Sequence, residues 1–338
     1  MRYAALALLL AIAACSTDDD VAPSQEEPIG DAAAADAGAD VDVAPAPGIL
    51  SFAHYHSQDE IHAFLTGLAG DHPGLARFET LGASRQGREI AYVVVSNADP
   101  ATVPALYFNG THHGDEWSST EGILGLADHL VTHRDEPAVR AVLDGYAVYL
   151  QPLVNPDGHA AKTRADSRGV DPNRDYAYPA RPDAQSFAVP EIALVKALVD
   201  RIKPRAAVAY HSGAESVLWS WCYTGTRTTD DAALAATSQA AAGAMGFDRW
   251  LQSYDDYPSE GEFIDYAYDR YRTQALTFEL SNVKTPSESQ LAGIVARSVK
   301  GAVAVIDAVT KPAALATRRL APRASFGALG KRTGPRLE

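Results

Sequence analysis

The chain reads LYFNGTHHGDEW over residues 106–117. Its first three residues form an apolar run typical of a buried strand, and His113 and Glu116 follow three residues apart. One helical turn places side chains at this spacing on the same side of the chain. Imidazole and carboxylate are both good zinc ligands, so the stretch predicts part of a metal site at the end of a buried strand. His112 is an alternative ligand, but its spacing to Glu116 is four.

Three further motifs contain residue types that are common in active sites. The first has two parts, PLVNPDG at residues 152–158 and GVDPNR at residues 169–174, with Arg164 between them. His211 ends a short apolar run. Glu279 lies inside another such run, where a carboxylate is costly unless it has partners or a catalytic task.

Apolar runs and helical patterns alternate along the chain. Helices are predicted after a capping box at residues 57–60 and over 122–131, 190–202, 231–245 and 288–309. Strands are predicted over 90–96, 106–108, 146–153, 206–210 and 274–280. This alternation predicts an α/β fold with a mostly parallel sheet, in a folded domain over residues 49–310.

Composition excludes some function classes. The formal net charge of −14 argues against nucleic acid as a partner. The two cysteines, Cys15 and Cys222, make a disulfide framework unexpected and exclude a cysteine-based zinc site.

The two ends of the chain differ in composition from its centre. Residues 1–14 have the pattern of a signal peptide, and the sequence IAAC ending at Cys15 is similar to a bacterial lipobox, in which the cysteine is lipidated. Ordinary signal cleavage is the alternative. We expect residues 15–48 to form an acidic disordered tether and residues 311–338 a basic disordered tail, with a basic sorting or envelope-binding segment as the alternative for the tail. These features predict an exported envelope lipoprotein, in the outer membrane of a Gram-negative cell because Ser16 follows the cysteine.

Taken in order, the four motifs resemble those of the zinc metallocarboxypeptidases of the carboxypeptidase A and B family, from about Tyr55 to Val309. The resemblance implies a three-layer α/β/α fold with a mixed, mostly parallel twisted sheet and one zinc ion. The implied zinc ligands are His113, Glu116 and His211. Asp171 would accept the ring N–H of His113 and set its tautomer.

The resemblance also implies a reaction, the hydrolysis of a C-terminal peptide bond. Glu279 would be the general base that activates a zinc-bound water and then the proton donor to the leaving amine. Arg164 would polarise the scissile carbonyl, with Arg168 as the alternative.

Three further residues would bind the substrate. Asn173 and Arg174 would bind the free carboxylate of the peptide, which would make the enzyme an exopeptidase. Tyr257 falls on the family's mobile tyrosine, which closes over the bound substrate.

Several positions depart from the digestive members of the family. Asp115 stands where those enzymes carry an arginine that helps to bind the peptide, Asp175 stands where asparagine is usual, and Pro172 replaces a small or aliphatic residue. The peptide after Ser212 is cis in the family, which the sequence leaves open here.

The specificity pocket gives a mixed signal. Ile264 falls where an aliphatic residue favours apolar C-terminal side chains. Glu262 falls where an acidic residue in bacterial relatives helps to accept basic ones. Cys222 falls where glycine is usual, which would narrow the pocket. We therefore predict a preference for apolar and also basic C-terminal residues.

Alternatives remain open at this point. One is an amidase or peptidase acting on cell-wall peptides of the γ-D-glutamyl-diaminopimelate type, and a weaker one is deacylation of N-acyl amino acids. A catalytically inactive protein that binds C-termini would need a broken metal triad or a missing base. For partners we expect peptide or protein C-termini, no nucleic acid, a membrane only through the lipid anchor, and a monomeric protein.

Overall fold

The structure, a computed structural model, describes residues 50–311. The predicted signal peptide, Cys15, the acidic tether and the basic tail lie outside this range. No helix among residues 50–311 combines the length and the apolar character needed to cross a membrane.

The described residues form one mixed sheet of eight strands in the order β1-β2-β4-β3-β5-β8-β6-β7. The strands are β1 Ala76–Ala83, β2 Glu89–Val95, β3 Ala105–Gly110, β4 Ala147–Gln151, β5 Ala206–His211, β6 Ala214–Trp219, β7 Trp250–Gln252 and β8 Gln274–Ser281. The pairs β3–β4, β3–β5, β5–β8 and β6–β7 are parallel, and the other neighbours are antiparallel.

Helices connect these strands. They are α1 Gln58–Asp71, α2 Trp117–Thr132, α3 Pro137–Gly145, α4 Pro156–Ala161, α5 Pro190–Ile202, α6 Asp231–Met245, α7 Ser253–Asp256, α8 Phe263–Tyr271 and α9 Glu288–Thr310. Short 3-10 turns lie at Pro172–Arg174 and Asp183–Gln185.

Alternate residues of the central strands supply two separate cores, because successive side chains in a strand point to opposite faces. On one face, Phe108 and Val208 pack in a cluster with residues of α1, α2, α6 and α9. On the other face, Tyr107 and Ala207 pack with residues of α5 and α8. This arrangement confirms the predicted α/β/α layers with a mixed sheet.

The predicted elements are confirmed, with differences at some ends. The bounds of α5 and α6 coincide with the prediction. Helix α2 begins at Trp117, five residues before the predicted start, although Ser118 and Ser119 are weak helix formers. The hydroxyl of Ser119 accepts a hydrogen bond from the N–H of Thr111 (3.0 Å), which ties this first turn to the end of β3. Strand β4 ends before Pro152, which has no N–H to donate to a neighbouring strand.

The sheet topology brings the motifs together. Strands β3, β5 and β8 are consecutive and parallel, so their carboxyl ends lie at one edge of the sheet. The register pairs Gly110 with Tyr210 and His211 with Glu279. The loop after β3, the end of β5 and the end of β8 therefore meet at this edge.

Candidate metal centre and active site

Three buried side chains converge at the carboxyl edge of the sheet. His113 lies in the loop after β3, Glu116 is the residue immediately before α2, and His211 is the last residue of β5. One ligand atom from each can be chosen so that all lie within 4.8 Å of one another. The Nδ1 atoms of the two histidines are 3.1 Å apart. The Glu116 oxygens lie 2.8 Å from Nδ1 of His113 and 3.0 Å from Nδ1 of His211.

The ligand loop is held by contacts to the segment around α4. The N–H of Gly114 donates to the carbonyl of Arg164 (3.3 Å). The side-chain amide of Asn155 donates to the carbonyl of His112 (3.2 Å) and to that of Ala165 (3.2 Å). The PLVNPDG motif, which contains Asn155, therefore supports the loop that carries two of the three converging residues.

The protonation of the triad fits a cation at this point. Nε2 of His113 lies 3.1 Å from Oδ1 of Asp171, a carboxylate that can accept the ring N–H, and in that tautomer the Nδ1 lone pair is available to a cation. Nδ1 of His211 and the carboxylate of Glu116 lie next to this atom. Two imidazole nitrogens and one carboxylate, with a position left for another ligand, are the donor set of a catalytic zinc site.

The ionisation of Glu116, His113 and His211 is also relevant to cation binding. Burial disfavours the ionised form of Glu116, but the charge of His113 and hydrogen bonds from both histidines hold its pKa well below the usual range. Burial likewise disfavours a charged His113, yet Glu116 and Asp171 together raise its pKa. Burial lowers the pKa of His211, which favours its neutral, metal-binding form. The carboxylates of Glu116 and Asp171 thus bring negative charge to a point where a cation would be bound.

Glu279 lies beside this cluster. It is paired in register with His211 on the neighbouring strand, so both side chains emerge on the same face of the sheet. The residue as a whole is partly exposed. Burial, followed by the negative charges of Glu116 and Glu262, raises its pKa well above the ordinary value. A carboxyl group with a raised pKa next to a metal site is suited to accept and return a proton.

Arg164 also reaches the cluster, whereas no hydrogen bond within the described range connects the side chain of its alternative, Arg168, to the triad. Nη1 of Arg164 lies 3.1 Å from Nδ1 of His113, and its Nε donates to Oδ2 of Asp171 (3.0 Å). The carboxylate of Asp171 thus contacts both His113 and Arg164.

A second group of predicted residues adjoins the His-Glu-His cluster. Nδ2 of Asn173 lies 3.4 Å from Nε2 of His211, and its side-chain oxygen accepts from the N–H of Phe263 (3.0 Å). Arg174 donates through Nη2 to the hydroxyl of Tyr257 (3.1 Å). Tyr257 is 50% exposed.

Glu262 has a partner that its position in the sequence does not indicate. Its Oε1 lies 3.2 Å from Nη1 of Arg174, although Glu262 is only 5% exposed. It also accepts hydrogen bonds from Ser259 and from Sγ of Cys222 (3.4 Å). The residue predicted to bind a substrate cation therefore neutralises the residue predicted to bind the substrate carboxylate.

The floor of this region contains a second buried acid. Asp265 is fully buried, and its carboxyl group accepts hydrogen bonds from the N–H of Cys222 (3.0 and 3.1 Å). Burial and the charge of Glu262 raise the pKa of Asp265 to about 7. Ile264 is 1% exposed and packs in the core cluster that contains Phe263.

Three other positions complete the comparison with the sequence. His112 stacks on His211 (5.6 Å between ring centroids) and contacts the hydroxyl of Tyr176 through Nε2 (2.8 Å), behind the triad. Asp115 pairs with Lys284, a residue with no recognisable motif (2.6 Å). The cis peptide found among residues 50–311 joins Ser220 to Trp221, and the peptide after Ser212 is not cis.

Comparison with known proteins agrees with this geometry. A profile of the zinc carboxypeptidase family matches residues 61–300. Zinc carboxypeptidase A 1 of Anopheles gambiae is 27% identical over 270 residues, which is 70% of this chain and 62% of that protein. Carboxypeptidase A1 of Rattus norvegicus is 27% identical over 267 residues, which is 68% of this chain and 63% of that protein. The chain therefore spans less than two thirds of the length of these curated relatives.

A solved structure shows the same fold. Carboxypeptidase A from Helicoverpa armigera superposes with a TM-score of 0.69 at 20% identity, covering 78% of this chain and 76% of the other. With a family profile that extends over most of residues 50–311 and a His-Glu-His cluster at the expected edge of the sheet, this chain belongs to the zinc carboxypeptidase family.

Proposed function

We propose that this protein is a zinc-dependent carboxypeptidase that removes the C-terminal residue of peptides. The observation that carries the proposal is the convergence of His113, Glu116 and His211 beside Glu279 in the structure of a family member. The relatives that match it are named carboxypeptidases. Arg174 follows Asn173, which contacts His211, and a cation at this position can distinguish a free C-terminus from an internal peptide bond.

His113, Glu116 and His211 would hold the zinc ion. When bound, zinc supplies a Lewis acid that polarises a carbonyl and lowers the pKa of a water molecule to about 7 in well-studied hydrolases. Glu279 would accept the proton of the attacking water and donate it to the nitrogen of the leaving amine. Its raised pKa supports this role, because it makes the carboxylate a stronger base towards the proton of the attacking water.

Arg164 and Asp171 would act on the substrate carbonyl and on the ligand histidine. The guanidinium of Arg164 reaches to 3.1 Å from Nδ1 of His113, so a carbonyl placed at the metal would lie within its reach. A fixed cation at this position stabilises the negative charge that develops on the carbonyl oxygen. Asp171 holds both groups through its two carboxylate oxygens.

The ion pair between Arg174 and Glu262 supports the basic part of the predicted specificity. A peptide that ends in arginine or lysine can replace both halves of the pair, with its carboxylate at Arg174 and its side-chain cation at Glu262. A peptide with an apolar C-terminal residue leaves the carboxylate of Glu262 buried without that partner, which costs free energy. We infer that basic residues are accepted alongside apolar ones, and more readily than Ile264 alone would indicate.

The test of the activity uses the zinc-loaded full chain and two forms of each peptide, one with a free C-terminus and one amidated. Stepwise loss of single residues from the free form, followed by mass spectrometry, is the expected result, and the amidated form should persist. Cleavage at internal bonds would contradict the proposal. Digestion of purified muropeptides without turnover of ordinary peptides would favour a cell-wall substrate instead.

Substitution Glu262→Gln tests the specificity. We expect kcat/KM for hippuryl-Arg to fall by tenfold or more, because a hydrogen bond to a charged group contributes about 1.5–3 kcal/mol. The value for hippuryl-Phe should stay within a few-fold or rise. An equal loss with both substrates would show that Glu262 does not determine specificity, and no wild-type cleavage of either would contradict the mixed preference.

A further inference from the structure

One arginine outside the predicted site contacts the main chain of the substrate-binding segment. Nη2 of Arg181 donates to the carbonyl of Arg174 (2.6 Å) and to the carbonyl of Tyr176 (2.6 Å), and its Nε donates to the hydroxyl of Ser186 (3.1 Å). Its guanidinium also lies over the ring of Tyr178, 5.4 Å from the centroid. A single guanidinium thus fixes the backbone on both sides of residue 175.

The same group contacts the segment that carries Glu262. A Cβ atom on Gly261 would lie 2.2 Å from Nη2 of Arg181 and 2.5 Å from the carbonyl oxygen of Arg174. Only glycine allows this approach, and the φ of +76° at Gly261 also favours glycine. The carbonyl of Gly261 in turn accepts from the N–H of Tyr176 (3.0 Å). The two segments therefore meet around the guanidinium of Arg181.

These contacts affect three residues to which we assign substrate binding. Arg174 is held through its own carbonyl, and Glu262 follows Gly261 directly. Asn173 precedes Arg174 and accepts from the N–H of Phe263 on the other segment. A shift of either segment would change the distance between Arg174 and Glu262, which is 3.2 Å here.

The charge of Arg181 is also unusual. Within residues 50–311, no carboxylate lies close enough to Arg181 to form an ion pair with it, and the acceptors named above are carbonyls and a hydroxyl. An arginine fork can bond several acceptors at once, which a lysine ammonium on a flexible stem does less well. Arg181 therefore holds the backbone of residues 174–176 in place. Its positive charge is not neutralised by an ion pair within the described residues, and it lies beside the segment to which we assign carboxylate binding.

We propose that Arg181 is a positioning residue for recognition of the substrate's C-terminal carboxylate. It holds residues 174–176 against Gly261, so that Asn173, Arg174 and Glu262 keep the separation that the peptide requires. The part of the proposal that concerns substrate rests on the proposed carboxypeptidase function, whereas the structural part does not.

The structural part is tested first, by hydrogen–deuterium exchange on the full chain. In Arg181→Ala we expect the amides of Tyr176 and Phe263 to exchange at least tenfold faster, while amides of β3 and α2 keep their rates. Arg201→Ala is the matched control, because Arg201 bonds the hydroxyl of Tyr92 in β2 (2.7 Å) and none of the acceptors that Arg181 contacts. Unchanged exchange at both amides would overturn the proposal whether or not the protein is a carboxypeptidase.

The functional part is tested by binding in a Glu279→Gln background, which separates affinity from turnover. The probes are hippuryl-Arg and its C-terminal amide, measured by calorimetry with zinc present. We expect Arg181→Ala to weaken binding of the free acid about tenfold or more and that of the amide much less, with zinc content unchanged. An equal loss for both probes would show general damage and overturn the role in carboxylate recognition.

Arg181→Lys keeps the positive charge and guards against misfolding of the alanine variant. Lysine cannot bond both carbonyls and Ser186 together, so we expect the same selective loss with a smaller amplitude. Millimolar guanidinium ion should partly restore binding in Arg181→Ala. Full affinity for the acid in Arg181→Lys would mean that charge alone matters and would contradict a positioning role. If the Glu279→Gln protein with Arg181 intact binds neither probe, the proposed function fails while the exchange result still decides the structural role.

Discussion

Two glycines determine how closely the ligand loop approaches α4. A Cβ atom on Gly114 would lie 2.0 Å from the carbonyl carbon of Gly158. A Cβ atom on Gly158 would lie 2.3 Å from the side-chain amide of Asn155. At Gly114 the neighbouring atoms belong to the backbone of Gly158 and His159, so the clash could not be relieved by changing a rotamer. Gly114 lies between His113 and Glu116, so the contact sets the position of both.

We therefore expect Gly114→Ala to disrupt the metal site. Overpacking of this kind typically costs about 1–3 kcal/mol, and relief by movement of the loop would separate His113 from Glu116. Zinc per chain after dialysis and the melting temperature should both fall. Gly293→Ala in α9 is the control, since no atom lies within 4 Å of its Cβ position. Full zinc content in Gly114→Ala would show that the loop tolerates the displacement.

Asp171 is the second position at which a single residue should matter. It accepts from His113 and from Arg164, so its replacement removes the charge that favours the Nε2–H tautomer. We expect Asp171→Asn to weaken zinc binding about 10–100-fold, the usual effect of losing such a partner. Competition with a chelator measures the zinc affinity. The control is Asp200→Asn, which alters a carboxylate that pairs with Lys196 (2.5 Å). An unchanged affinity would remove Asp171 from the metal site.

At the scale of elements, the segment before α1 supports the start of α2. The N–H and Nδ1 of His56 contact the carboxylate of Glu121 in α2 (2.8 and 2.7 Å). The hydroxyl of Tyr55 donates to the carbonyl of Pro286 (2.8 Å), and its ring packs on Trp117, the first residue of α2 (5.7 Å). These contacts link three segments around the helix that begins next to Glu116.

The pair formed by His56 and Glu121 makes stability depend on pH. Burial lowers the pKa of His56, but the hydrogen bond and charge of Glu121 raise it more, to a value above the ordinary 6.5. A raised folded-state pKa means that the contribution is present below pH 6.5 and is lost as the pH rises through the folded value.

The expected result is a difference in unfolding free energy between wild type and His56→Gln of about 1.5–3 kcal/mol at pH 6, decreasing towards pH 9. Urea unfolding at several pH values measures it. His62→Gln is the control, because its pair with Glu89 is exposed on both sides (50% and 41%) and should contribute little at any pH. A difference that grows with pH would contradict this account.

The sequence was sufficient to predict helices and strands that have a clear local pattern of apolar and capping residues. It was not sufficient for elements that form only because they pair with neighbouring segments. Helix α5 starts at Pro190 and carries apolar residues at helical spacing, so its bounds could be predicted. Strand β6 begins Ala-Glu-Ser, which has weak strand propensity, and it forms because it pairs with β8 on one side and β7 on the other. Helix α8 is rich in tyrosine, which also suits strands.

The candidate site divides in the same way. Spacing and resemblance predicted that His113, Glu116, His211 and Glu279 lie close together. The structure places these four residues at one edge of the sheet. Arg181 and Lys284 lie in no motif, and their contacts join segments that are distant along the chain. The pairing of Glu262 with Arg174 could not be predicted either, because it depends on how the segments before α8 and after Asp171 pack together.

For the whole molecule, the envelope address remains a proposal from the sequence, since Cys15 lies outside the described residues. We expect the full chain expressed in a bacterium to incorporate labelled palmitate and to fractionate with membranes. Cys15→Ser should lose the label and release the protein, with catalytic activity preserved. Membrane association that survives this substitution would argue for another means of attachment.

The central claim is that a zinc ion at His113, Glu116 and His211 works together with Glu279 to hydrolyse C-terminal peptide bonds. The most direct measurement compares bound zinc and the rate of hippuryl-Phe and hippuryl-Arg hydrolysis in the wild type and in Glu279→Gln. We predict about one zinc per chain in both proteins, as three protein ligands are unchanged, and a rate about 10²–10⁴-fold lower in the variant, the usual contribution of a general base. Equal rates in the two proteins, or full wild-type activity after removal of zinc, would contradict the account.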